Sequence, residues 1–133
     1  MTSTVTYNGA LRATAVHRKS GTEIITDAPT DNHGKGEAFS PTDLVATALA
    51  SCMLTVMGIK ADALGVNTDG AKAEITKIMA SDPRRIAEVQ VNIQMPPGNF
   101  SDRDKKVLEH TARTCPVAQS LSEKTVQSVE IIW

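Results

Sequence analysis

The stretch from Ser40 to Lys60, SPTDLVATALASCMLTVMGIK, restricts what this chain can fold into more than any other. Ser40 suits the N-cap of a helix, Pro41 its first position and Asp43 its first turn, where a carboxylate complements the exposed N–H groups. Leu44, Val45, Ala48, Leu49, Cys52, Val56 and Ile59 recur at three- and four-residue steps, which predicts a single apolar face with Cys52 in its middle. The uncharged run Leu44 to Ile59 is 16 residues long, short of the roughly 20 that span a bilayer. Thr47, Ser51 and Thr55 interrupt it. The expectation is a buried core helix and no membrane segment.

A chain of 133 residues is long enough for one domain with one core, and nothing resembling a linker, repeat or low-complexity tract divides residues 1–133. The formal net charge of −1 and the absence of a Lys/Arg block give no electrostatic reason to bind nucleic acid or an anionic membrane surface. Met1 to Tyr7 is short and polar and does not read as a secretory leader. The expected location is therefore cytoplasmic, where Cys52 and Cys115 would be reduced and any disulfide between them transient.

Around the helix the pattern is that of an α+β fold. Ser3 to Tyr7 and Ala10 to His17 read as strands joined by a turn at Asn8-Gly9, and Lys19-Ser20-Gly21 turns into a third strand, Thr22 to Asp27. Ala28 to Phe39, with Pro29, Gly34 and Gly36, reads as a loop that could border a site. After Gly65, Val66 to Ala80 alternates enough for a strand. Ala87, Val89, Val91, Ile93 and Met95 then alternate cleanly with Glu88, Gln90, Asn92 and Gln94, so one face is buried and the other wet. Ser101 with Asp104 opens a helix to about Arg113. Pro116 starts a short helix to about Lys124 with Cys115 near its N-cap, and Val126 to Trp133 closes the chain as a strand.

Two thiols carry the only obvious chemistry. A helix N-terminus favours a thiolate, so local reasoning lowers the pKa of Cys115 and selects it as nucleophile. Burial on an apolar helix face disfavours the thiolate of Cys52 unless a cation compensates, and free cysteine is often a small apolar filler. His17, His33 and His110 lack metal-ligand spacing with the cysteines, and Gly34-Lys35-Gly36 lacks the pattern of a phosphate loop. Neither a metal nor another cofactor is expected. Asp43 is explained first by helix-start chemistry and only second by catalysis.

Taken together, SPTDLVATALASC on the central helix, CPVAQSL near the end and three strands before the helix resemble the OsmC/Ohr family of thiol-dependent peroxide reductases. The resemblance implies antiparallel sheets around a long central helix in an intertwined homodimer. It reverses the local choice of thiol: Cys52 would attack the peroxide O–O bond and become a sulfenic acid, Cys115 would resolve it as a disulfide, and an external dithiol would restore the pair. An organic hydroperoxide is the substrate it implies, hydrogen peroxide a possible second, and oxidative stress defence the role.

Peroxidatic members of the family pair an arginine from the early strands with the glutamate of an N-P-E pattern. This chain has Ser40-Pro41-Thr42 there. Asp43 would have to substitute from one residue further on, and Arg18 is the nearest arginine to activate Cys52, with Lys35 as a weaker point charge. The missing glutamate leaves two alternatives open: a non-enzymatic dimer that binds a small hydrophobic ligand beside Cys52, and a thiol redox sensor.

Overall fold

In a computed structural model that describes every residue from Met1 to Trp133, the chain forms two compact units, Met1–Val45 and Ala46–Trp133. The boundary falls inside a continuous helix.

The first unit is a three-stranded antiparallel meander of β1 (Ser3–Gly9), β2 (Arg12–His17) and β3 (Glu23–Asp27), in that spatial order. The turn between β1 and β2 differs from the expected one. Gly9 pairs with Arg12, Asn8 lies at a register shift, and the two turn residues are Ala10 and Leu11, with φ of 50° and 62°. The bulge at Asn8 moves the reversal two residues along, so the Asn-Gly dipeptide bends the strand end and does not itself turn the chain. Ala28 to Phe39 is irregular except for one 3-10 turn at Thr30–Asn32. Its end is tied back where the amide of Asp27 donates to the carbonyl of Phe39, at 3.1 Å.

The long helix, α1 (Pro41–Leu64), starts as the sequence predicts. Ser40 Oγ accepts from the Asp43 amide at 3.0 Å, while the Asp43 carboxylate accepts from the Ser40 amide at 2.9 Å, the reciprocal arrangement of a capping box. Its buried face is rotated away from the predicted stripe and shares only Leu49 with it. Ala46, Leu49, Ala50, Met53, Met57 and Ala61 are the residues enclosed, whereas Val45, Ala48 and Ile59 are exposed and Cys52 and Val56 half-buried. The reason is compositional: α1 is apolar on more than one face, and three- and four-residue spacing can be traced along either. By length and composition α1 could cross a membrane, with mean hydropathy 1.7 in its most apolar window, but a core helix passes the same test. Leu49 and Met53, both fully enclosed, pack in a core with Val89, Ile93 and Leu108.

That core belongs to the second unit. β4 (Lys72–Ala80) pairs antiparallel with β5 (Arg85–Gln94), which pairs in parallel with β6 (Val126–Ile132). The second sheet is thus mixed, where a fully antiparallel one was expected. Parallel neighbours need a long crossover, and here it runs from Met95 to Thr125 through α2 (Asp102–Arg113) and α3 (Pro116–Ser120). β4 is shorter than predicted, because Asn67 Oδ1 accepts from the Asp69 amide and Thr68 O from the Ala71 amide, which turns the chain before the strand begins. The alternation in β5 holds from Val89 through Val91 to Ile93, which are buried, whereas on the other face only Gln90 and Gln94 are exposed and Glu88 and Asn92 are half-buried. α3 ends at Ser120, short of Lys124, where a turn closed by the Thr125 amide on Ser122 O leads into β6.

Candidate functional site

Cys115 is the N-cap of α3, with Pro116 at the first helical position. Its Sγ accepts from the Ala118 amide at 3.4 Å, and only 1% of the residue is exposed. The cap explains how the sulfur is aimed, but burial outweighs the helix N-terminus: desolvation is the first cause that pushes the Cys115 thiol up, with the Ala118 amide opposing it. A hydrogen bond and the charge of Cys52 push it further in the same direction. Local sequence reasoning, which lowered this pKa, is therefore corrected. A five-residue helix has a weak N-terminus, and a closed core penalises a thiolate there.

The same interaction brings the two thiols together. Cys52, at mid-length of α1, is half-buried and free, and Cys115 is free and buried. The neighbouring Cys52 sulfur adds to the cost of a thiolate at Cys115. Cys115 is the member whose ionisation is penalised.

In the first unit the residue pair with the strongest electrostatics is one that sequence reasoning missed. Arg12 on β2 faces Asp27 on β3 in direct cross-strand register. Arg12 Nε donates to Asp27 Oδ1 at 2.7 Å and Nη2 to Oδ2 at 2.8 Å, a bidentate fork, with Glu37 Oε2 at 3.5 Å from the same Nη2. The Asp27 side chain is 3% exposed and also accepts from the Glu37 amide at 3.1 Å. Hydrogen bonding from Arg12 holds the Asp27 carboxyl below the usual carboxylate range against the opposing cost of burial, and Asp27 in turn raises the guanidinium. Arg18 lies exposed in the turn after β2, and its amide donates to Thr2 O. Lys35 is exposed in the loop and contributes a weak charge toward Asp27. Asp43 is placed in the helix cap already described. Two residues whose alternation puts them opposite each other on β2 and β3 were the available signal for Arg12 and Asp27.

The sign of the pH dependence follows. Because the folded state lowers the Asp27 pKa, its stabilising contribution is present above the unfolded value, about 3.9, and disappears as pH falls through the lower folded value. Urea midpoints measured from pH 7 down to pH 2 should fall through that acid limb, and Asp27→Asn should flatten it while lowering stability at pH 7.

Residues 34–130 match the family described as OsmC-like protein. The chain belongs to that family. A crystal structure of a candidate osmotic stress induced and detoxification response protein from Psychrobacter arcticus 273-4 is similar at 54% identity, covering 98% of this chain and 95% of the other, with a TM-score of 0.93. An organic hydroperoxide resistance protein OsmC from Legionella pneumophila shares the fold at 14% identity, with 100% and 98% of the two chains covered and a TM-score of 0.74. One from Elizabethkingia anophelis does so at 15% identity, with 99% and 96% covered and a TM-score of 0.70. No curated protein matches. The two sheets and long central helix of this OsmC-like chain are those of the family, and the expected α+β class holds.

Proposed function

We propose that this OsmC-like protein is a thiol-dependent peroxide reductase acting on organic hydroperoxides. The observation that carries the reading is the proximity of Cys52 to Cys115, whose thiol burial pushes up. The Cys52 thiolate attacks the distal oxygen of ROOH; the O–O bond breaks, the sulfur becomes Cys52–SOH, and RO⁻ takes a proton to leave as the alcohol. Cys115 then attacks the sulfenic sulfur, the S–O bond breaks, and hydroxide leaves as water with the Cys115 proton. The product is a Cys52–Cys115 disulfide. An external dithiol reduces it by thiol–disulfide exchange and is itself oxidised to a disulfide.

The chain is proposed to act as a homodimer in the cytoplasm. Two apolar surfaces support the second copy: Val45, Ala48 and Ile59 on α1, and Val5, Tyr7 and Ile24 on β1 and β3, all exposed.

The reading is tested by mixing reduced protein with one equivalent of cumene hydroperoxide and following peroxide loss and intact mass together. Fast loss with the mass decrease of two hydrogens supports it. Reaction no faster than that of a free thiol rejects it.

A further inference from the structure

We infer that Gln127 is a positioning residue for Cys115: reaching from β6, it holds α3, and with it the sulfur at the α3 N-cap, in place. In β6 the half-buried positions are Gln127, Val129 and Ile131, while Val126, Ser128, Glu130 and Ile132 are exposed. Gln127 therefore occupies an inward position, in register with the fully buried Val89, just as Val129 and Ile131 are in register with Val91 and Ile93. A side-chain amide in an apolar column requires a partner. It has one in the Ala118 carbonyl, to which Gln127 Nε2 donates at 3.0 Å.

That carbonyl belongs to a helix of only five residues, too short to be stable by its own hydrogen bonds. Within α3, Gln119 N donates to Cys115 O and Leu121 N to Val117 O. The Ala118 amide is taken by Cys115 Sγ and the Ala118 carbonyl by Gln127. One peptide-linked residue thus connects the thiol to β6. Loss of the Gln127 contact leaves a half-buried carbonyl without this partner and lowers the free energy at which α3 opens locally, which exposes Cys115.

The role of this sulfur as resolving thiol rests on the function proposed above, but the opening does not. The test follows iodoacetamide labelling of Cys115 in reduced protein carrying Cys52→Ser, without peroxide. Gln127→Met, which keeps length and loses the donor, should label about 2- to 10-fold faster, as expected for one lost hydrogen bond. Gln127→Glu, a near-isostere that cannot donate as a carboxylate, should shift the rate in the same direction. Thr125→Val removes a different bond from the same segment, Thr125 Oγ1 to Ile86 O, and should leave the rate unchanged. The faster labelling should depend only weakly on low urea, because a short helix exposes little surface when it opens.

A wild-type rate in the Gln127 variants overturns the inference. Equal acceleration by Thr125→Val, or a urea slope equal to that of global unfolding, also overturns it, since either makes the effect a general loosening. Labelling that behaves as expected in a protein that does not consume peroxide would leave Gln127 as the latch while rejecting the peroxidase reading.

Discussion

Cys52→Ser should lower the rate of peroxide consumption by roughly 10³-fold, to the level of adventitious thiol chemistry, because a serine hydroxyl is not ionised near neutral pH and cannot accept the distal oxygen as a sulfenic acid. Stopped-flow peroxide loss with intact mass is the measurement. Cys115→Ser should behave differently: the first equivalent of peroxide is consumed at a rate close to that of wild type, no disulfide forms, and the protein gains one oxygen or more. This asymmetry is the informative part. Both thiols are free and both belong to one core, yet Cys115 is closed off and its ionisation opposed. Equal loss in the two variants, or a Cys52→Ser protein as fast as wild type, would remove the assignment of roles.

Leu49→Ala should destabilise the fold by about 2–5 kcal/mol, the range for deleting a fully buried leucine side chain and leaving part of the space unfilled. Leu49 is 0% exposed, beside Met53 and Met57 on the enclosed face of α1. Urea denaturation at fixed protein concentration checks it. The contrast is Ile59→Asp on the same helix. Ile59 is 68% exposed, so this substitution should cost the single chain little and should instead convert the proposed dimer to monomer in sedimentation velocity. If Ile59→Asp left the mass in solution at twice that of one chain, the α1 surface would not be the contact between copies.

The pair of substitutions also shows where sequence reading was strong and where it was not. The start of α1 was legible because Ser40, Pro41 and Asp43 act through local hydrogen bonds and backbone geometry, which do not depend on the rest of the fold. The wet and dry faces of β5 were legible for a similar reason: Glu88, Gln90, Asn92 and Gln94 cannot share the side of Val89, Val91 and Ile93. The buried face of α1 was not, since a helix with few polar residues does not state which side meets the core. The parallel pairing of β5 with β6 was equally hidden, being decided by the path of the crossover.

At the candidate site, the helix positions of both cysteines could be read from the chain. Their relative acidity could not. An N-cap is a local property, but desolvation of Cys115 depends on what Leu108, Ala112 and the rest of the core close over it. Arg12 was passed over because its carboxylate partner lies 15 residues away, on the neighbouring strand β3.

The crossover between β5 and β6 also places the two sulfurs on a timetable. Parallel strands pair only after the chain between them has been gathered, and distant contacts form late for that reason. Cys115 sits near the end of that connection and Gln127 at the start of the strand that completes it. The contact from Gln127 that holds α3, and with it Cys115, is therefore complete only when the last strand has docked. A growing chain displays Cys52 with no partner in reach, so its protection from oxidation during synthesis comes from its surroundings and not from its own structure.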